Sequence, residues 1–245
     1  MLVSIVIPAY NEAALIGGHL EAVAEYCRSQ PWESETIVVD DGSSDATAKI
    51  VEECARRLGG IRLLRLEHNR GKGHAVRQGL LAATGDVRGF TDADASTPIS
   101  ELDRVLPALQ SASDVVIGSR AIEDPETELE AHLHRRLIGR VFNGLLRILV
   151  GLRDENGRPL ADTQCGFKWF TADACEAIFS RAKVDDFAFD VEVLLLAKRL
   201  GRPVREVAVN WTDRGSKSSV NLLTDPLKML YRVVLLRFQH RGTRP

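Results

Sequence analysis

Short β-branched and aliphatic runs alternate along this chain with longer stretches whose apolar positions recur at helical spacing. That is the pattern of a mostly parallel sheet covered by helices. The runs predict strands at Val3–Ile7, Glu35–Val39, Arg62–Leu66, Val87–Thr91 and Asp114–Gly118. Between them the spacing predicts helices over Glu12–Ser29, Asp45–Leu58, Lys72–Ala83 and Ile99–Leu109. This order describes an α/β, Rossmann-like half over residues 1–120 with right-handed crossovers. Beyond it the alternation loosens into an acidic loop, a helix over Leu133–Leu152 and a strand over Gly166–Phe170. Helices at Ala172–Phe179 and Asp190–Arg199, a strand at Val204–Val209 and a last helix at Asp225–Phe238 complete the reading. No repeat or low-complexity linker divides the chain, so residues 121–245 are expected to build onto the first sheet within a single domain over 1–245.

A chain of 245 residues with 44% hydrophobic content buries a full core. Its four cysteines form no CxxC pair and no metal-ligand spacing, which points to reduced, buried thiols and against structural zinc. Leu2 to Tyr10 is uncharged but lacks a basic flank and runs into Asn11-Glu12, so it reads as a strand and not as a signal segment. No apolar run approaches the ~20 residues that span a bilayer. The expectation is a cytoplasmic protein without a membrane helix of its own. Net charge is −2, unevenly spread. Residues 132–153 hold five arginines and no acid, and residues 213–245 hold seven Lys/Arg against two Asp, while Glu123, Asp124, Glu126, Glu128 and Glu130 cluster between the first sheet half and the first basic stretch.

Ligands of open α/β sheets bind at the carboxyl ends of strands, so the residues just after each predicted strand carry the chemistry. These are Pro8-Ala9-Tyr10-Asn11-Glu12, Asp40-Asp41-Gly42-Ser43-Ser44-Asp45, Asp92-Ala93-Asp94 and Ser119-Arg120. The Asp40-Asp41 turn has a purely structural alternative, with Ser44 or Asp45 capping the next helix. Asp92 and Asp94, one residue apart at the end of a buried strand, would repel, which favours a cation near them. Hard oxygen ligands suit Mg²⁺ or Mn²⁺, which bind through one or two carboxylates plus substrate phosphates. The alternative is a pair of capping acids before Thr97-Pro98. Asn69-Arg70-Gly71-Lys72-Gly73-His74 sets two glycines and two cations at a helix start, an anion cradle in which Arg70 and Lys72 face a nucleotide's phosphates. It has neither Walker A nor G-x-G-x-x-G spacing, and no dinucleotide turn follows the first strand, which argues against an oxidoreductase.

Taken in order, these motifs resemble family 2 glycosyltransferases. Gly118-Ser119-Arg120, Asp162-Thr163-Gln164-Cys165-Gly166-Phe167-Lys168, Phe189-Asp190-Val191-Glu192, Asn210-Trp211-Thr212 and Gly215-Ser216-Lys217 narrow the likeness to dolichyl-phosphate β-glucosyltransferases and related polyprenyl-phosphate enzymes. The resemblance implies a GT-A fold. It implies that Pro8, Ala9, Tyr10, Glu12 and Asp41 surround the base and ribose, with Asp40 adjacent. Asp92, Ala93 and Asp94 would manage the metal-diphosphate, Asp94 most directly, and Ser216 and Lys217 would close over it. Arg120 would face the acceptor phosphate, and Asp162 and Asp190 are acids near the reacting centre. For Asp190 a structural role, capping the helix that follows, stands beside the catalytic one.

The implied reaction is inverting transfer of a hexose from a UDP-sugar, with UDP-glucose favoured, to a polyprenyl or dolichyl phosphate. UDP-N-acetylhexosamine, GDP-mannose, a saccharide acceptor and a non-enzymatic sugar-nucleotide sensor stay open. The basic stretches bear on the acceptor. Leu137, Val141, Leu145, Ile148 and Leu152 share one helical face, with Arg136, Arg140 and Arg147 opposite. Arginine without acid beside a wide apolar face fits an interfacial helix on an anionic leaflet, here and over 225–238, and packing on the sheet is the alternative. Peripheral attachment to the cytoplasmic face of a membrane follows. Few aromatics interleave the basic residues, which argues against nucleic acid.

Overall fold

The computed structural model describes residues 1–111, 113–130, 144, 149–213, 232, 233, 235, 236, 239 and 240. Its strands are β1 (Leu2–Ala9), β2 (Glu33–Asp40), β3 (Ile61–Arg65), β4 (Val87–Thr91), β5 (Val115–Ser119), β6 (Leu129–Glu130), β7 (Phe167–Thr171), β8 (Val204–Ala208) and β9 (Trp211–Thr212). The described helices of eight or more residues are α1 (Ile16–Arg28), α2 (Thr47–Leu58), α3 (Lys72–Ala82), α4 (Leu102–Ser111), α5 (Ala172–Phe179) and α6 (Phe189–Arg199). Seven strands form one sheet in the order β3-β2-β1-β4-β7-β5-β8, and β6 pairs with β9 separately.

β1 lies inside the sheet and buries seven of its eight positions, which is why it reads as one continuous apolar run. Its side chains alternate between two layers. Val6, with Ile37 and Val39 of β2, packs toward α3, α5 and α6, whereas Val3, Ile5 and Ile7 pack toward α1, α2 and α4. The predicted β/α alternation through β5 stands, with small shifts at the ends. α1 begins at Ile16 because Glu12 first closes a turn, its carbonyl accepting from Leu15 N and Ile16 N. The helix expected from Ile99 opens as a 3-10 turn, Ile99–Glu101, before α4.

The feature that alternation does not predict is the direction of β7. It runs antiparallel between β4 and β5, with Thr91 opposite Phe167. An antiparallel strand presents its beginning where parallel neighbours present their ends, so Cys165-Gly166 arrives beside Asp92. The pairing of β6 with β9 is likewise absent from the sequence reading.

Among the described residues no helix is long and apolar enough to cross a membrane. Cys54, Cys165 and Cys175 are buried free thiols and Cys27 is half-buried. Most of 133–152 and 225–238, with Ser216 and Lys217, lies outside the described residues. Val150, Leu152, Val233 and Leu236 are described, and all four are buried in the core shared with α3 and α6. Arg232 is exposed.

Candidate active site

The loops after β1 and β2 are laced together. Asn11 adopts a left-handed φ of 55°. Its N–H donates to Ser43 Oγ (2.9 Å) and its Oδ1 accepts from Ser44 N (2.9 Å), while Glu12 N donates to Thr47 Oγ1 (2.8 Å). Pro8 and Ala9 are buried at the strand end, and Tyr10 stands at the mouth 46% exposed. Asp40, fully buried, serves the turn by accepting from Ser43 N (3.0 Å). Asp41 reaches across to the next loop, where Arg70 N (3.1 Å) and Gly71 N (2.8 Å) donate to its two oxygens. The helix-cap alternative for this turn holds only in part. Ala46 occupies the cap position of α2 without a side-chain bond, although Asp45 Oδ1 accepts from Thr47 N (2.9 Å).

Gly71 brings Lys72 to the Asp-Ala-Asp turn. Its φ of +108° and the carbonyl oxygen of Asp185, 2.5 Å from where a Cβ would sit, leave room for glycine alone. Lys72 Nζ then lies 2.6 Å from Asp92 Oδ1. Burial pulls the Lys72 ammonium down, but Asp92, Asp190 and Asp94 outweigh it and raise its pKa. Arg70 is spent differently, pairing with Asp185 (3.1 Å) on the exposed side of the loop. Ala95 takes a φ of 54°, folding the chain back so that Asp94 Oδ1 accepts from Ser96 N (2.9 Å). A non-glycine residue in that region carries strain of the kind that collects at functional sites. Neither Asp92 nor Asp94 caps the following turn, whose cap position is Pro98 with no side-chain bond. The capping alternative for this pair is therefore overturned.

Burial, and then the Asp94 and Asp92 carboxylates, push Glu12 above the ordinary carboxyl range. Three acids thus share one mouth with one lysine. Among the described residues no group of three or more His, Cys, Asp or Glu is arranged to hold a metal alone. The donor chemistry here, one or two carboxylates open to a phosphate-bearing ligand, is the kind on which Mg²⁺ and Mn²⁺ rely.

Beneath this pair, Gly166 of the loop leading into β7 touches Asp92, and a Cβ at that position would overlap the Asp92 carboxylate. Gly166→Ala is expected to displace Asp92 and lower turnover by about 10²-fold, the scale of a 1 Å misplacement at a reacting centre. Steady-state kinetics beside an unchanged far-ultraviolet circular dichroism spectrum check this.

Arg120, at the end of β5, and Asp162 form a forked pair, with Nε to Oδ2 at 2.7 Å and a terminal nitrogen to Oδ1 at 3.0 Å. The guanidinium also lies 5.6 Å from the centre of the Trp211 ring. Backbone N–H groups of Arg120 and Gln164 donate to Asp162, and Glu206 in turn accepts from the amides of Ala161 (2.7 Å) and Asp162 (2.8 Å). Burial alone would raise the Asp162 carboxyl. Arg120 and these donors overcome it and hold Asp162 at about 2, well below 3.8. A carboxylate so committed is a poor base and a good anchor for Arg120. Because the folded pKa is depressed, its stabilisation is present above the unfolded value and lost as pH falls from about 4 through 2. Asp162→Asn should cost about 2 kcal/mol at pH 7 and close to nothing at pH 2. Urea unfolding at the two pH values tests the difference.

Asp190 does not cap α6, whose cap residue is Ala188. It pairs instead with Lys168, fully buried in β7, whose ammonium also donates to Cys165 O (2.7 Å) and lies 5.6 Å from the Phe90 ring centre. Burial pushes Asp190 upward against the pull of Lys168 and Lys72. Lys168 and Glu206 received no role in the sequence reading. A lone lysine in the apolar run Phe167-Lys168-Trp169-Phe170 was the available signal, since a charge at such a position is buried only when paired.

The pattern of "Glycosyl transferase family 2" matches residues 4–186, three quarters of the chain. The chain is a member of that family. It is 36% identical to a dolichyl-phosphate beta-glucosyltransferase of Trichomonas vaginalis, over 89% of this chain and 68% of that protein. It is 34% identical to the dolichyl-phosphate beta-glucosyltransferase of Homo sapiens, over 87% of this chain and 68% of that one. Among solved structures it resembles glucosyl-3-phosphoglycerate synthase from Mycobacterium tuberculosis in complex with Mn²⁺, UDP and glucosyl-3-phosphoglycerate, with a TM-score of 0.70 at 21% identity, covering 100% of this chain and 81% of that one. Mannosyl-3-phosphoglycerate synthase from Rubrobacter xylanophilus gives 0.71 at 19% identity, covering 100% and 76%. The sheet is accordingly that of the GT-A glycosyltransferases.

Proposed function

We propose that this glycosyltransferase moves glucose, with inversion, from UDP-glucose to dolichyl or polyprenyl phosphate at a membrane surface, with Mg²⁺ or Mn²⁺. The observation that carries the reading is the alternation of charge at the carboxyl edge of the sheet. Asp92 is matched by Lys72 at 2.6 Å beside Glu12 and Asp94, and Arg120, close enough to sense Asp92, is held by Asp162. The names of the relatives support the donor sugar and the acceptor.

In this reading Pro8, Ala9, Tyr10, Glu12 and Asp41 bind the nucleoside, and Asp92, Ala93 and Asp94 hold the cation together with the diphosphate. The bound cation supplies electrostatic stabilisation of the departing diphosphate. Lys72 adds a fixed positive charge at the same place, and Ser216-Lys217 belongs to the same group by sequence. Arg120 receives the acceptor phosphate. A lipid phosphate monoester has a second pKa near ~6 and is already anionic at neutral pH, so no strong base is needed. That agrees with Asp162 acting as the anchor of Arg120. Residues 1–120 supply the donor half and 121–245 the acceptor half of one domain. The arginine-rich stretches 133–152 and 225–238 lie against the cytoplasmic face of the membrane, with the buried Val233 and Leu236 tying the second of them to the protein.

The test incubates the purified chain with Mn²⁺ or Mg²⁺, polyprenyl phosphate and radiolabelled UDP-glucose, UDP-N-acetylhexosamine or GDP-mannose, then extracts lipid. Label from UDP-glucose in the organic phase is expected. An unlabelled organic phase with every donor overturns the lipid acceptor, and label from GDP-mannose alone overturns the donor.

A further inference from the structure

The loop between α5 and α6 is held from two sides. On its inner side it covers the Lys72 turn. His74 N donates to Asp185 O (3.2 Å), Arg77 and Arg70 both pair with the Asp185 carboxylate, and the Val184 and Asp185 carbonyls approach Gly73 and Gly71 so closely that a Cβ on either would lie 2.5 Å from a carbonyl oxygen. On its outer side it meets Arg232 and His240. Glu192, fully buried in α6, accepts from Lys183 N (3.0 Å) and Val184 N (2.8 Å), and His240 Nε2 lies 2.7 Å from Glu192 Oε1 with its ring buried. Arg232 pairs with Asp186 at 3.3 Å. A buried carboxylate with this many partners fixes whatever it binds, because losing one leaves the charge partly unsatisfied.

We propose that Arg232 and His240 clamp the Lys72 turn from outside the site, with His240 and Glu192 as positioning residues. The path is contiguous: His240 to Glu192, Glu192 to the 183–184 amides, Asp185 to Gly71 and His74, and Lys72 to Asp92. The outer half of this path reaches the site through the Val184 and Asp185 carbonyls. Its effect on chemistry runs through the place where Lys72 rests, and that part of the inference rests on the donor site proposed above.

Hydrogen exchange on the full chain, read at residues 71–75 and 183–186, tests the clamp without any assumption about substrate. Removing one hydrogen bond to a buried charge should speed local opening by about tenfold or more, so His240→Ala should accelerate both segments by that factor. His240→Gln, which keeps a donor at the Nε2 position, should restore wild-type exchange. If His240→Ala fails to fold, Arg232→Ala carries the test, because its pair with Asp186 is exposed. It should loosen 183–186 and leave the sheet protected. With UDP-glucose as the probe, His240→Ala should lower kcat and kcat/KM together by about tenfold, the signature of a lost interaction with the departing diphosphate, and His240→Gln should restore both. Unchanged exchange at 71–75 in His240→Ala, or failure of His240→Gln to rescue a folded protein, overturns the clamp. Absence of any UDP-glucose turnover by the unaltered chain overturns the proposed donor and leaves the exchange result to decide the clamp.

Discussion

Asp94→Ala is expected to lower kcat/KM by about 10³-fold while leaving the fold intact, the upper end of what one preorganised electrostatic group supplies at a developing charge. Asp94 is tied to the protein by a bond from Ser96 N at 2.9 Å, in a turn that Ala95 enters at a φ of 54°. The side chain is half-buried, so its loss opens no core cavity, and Lys72 keeps its pair with Asp92. Stability should therefore move by less than about 1 kcal/mol, in line with substitutions away from the core. Asp94→Asn separates turn from charge: the amide can still accept from Ser96, so an equally large loss assigns the effect to the carboxylate. Mn²⁺ titration in the presence of UDP should show weakened cation binding in both variants. Turnover within tenfold of the unaltered chain would remove Asp94 from the catalytic centre. A second consequence follows at Glu12, raised by burial and by Asp94 and Asp92: its pKa should fall when Asp94 is removed, which a carboxyl-detected NMR titration reads directly.

The parts of this site that sequence reveals are those set by local periodicity. Strand ends follow from β-branched runs, and Asp41, Asp92 and Arg120 follow because they come just after those runs. What periodicity cannot supply is which side chain is already engaged. Asp162 and Asp190 look alike in one dimension, two acids in the second half of the chain. In three dimensions Asp162 is forked onto Arg120, 42 positions away, and Asp190 faces Lys168 across 22 positions. Arg70 and Lys72 look alike too, yet Gly71 turns one outward to Asp185 and the other inward to Asp92. The direction of β7 escaped for the same reason. Strand orientation depends on the connection before it, and nothing within Phe167–Thr171 records that the chain enters at the carboxyl edge of its neighbours. That reversal delivers Gly166 to Asp92 and sets Lys168 under the mouth, so an unexpected feature of the fold and the unexpected members of the site have a common origin.

Lys168→Met should give the largest loss of stability among single substitutions at this site, about 3–5 kcal/mol, because it strips a buried carboxylate of its partner. In a chain of this size that corresponds to a fall in Tm of about 6–20 °C. Methionine keeps most of the volume, so the loss reads the charge and not a cavity. Lys168 has no exposed surface and Asp190 very little, and the Phe90 ring and Cys165 carbonyl that also face the ammonium cannot serve the carboxylate. Asp190 must then protonate or remain charged in an apolar setting, with Lys72 the cation still acting on it. The pH dependence fixes which. An acid whose folded pKa lies above its unfolded value destabilises the fold at high pH and recovers as pH falls toward the unfolded value. The gap between Lys168→Met and the unaltered chain should therefore be wide at pH 8 and narrow toward pH 5. Replacing both partners, Lys168→Met with Asp190→Leu, removes the orphaned charge and should restore most of the lost stability, since a buried pair seldom stabilises more than apolar side chains of similar volume. Activity separates the two roles of the pair. If Asp190 only fills the core, the double variant regains turnover with its Tm. If it orients Lys72 toward Asp92, the double variant folds well and stays slow, with a stability curve close to that of the unaltered chain and a kcat/KM close to that of Asp190→Leu alone.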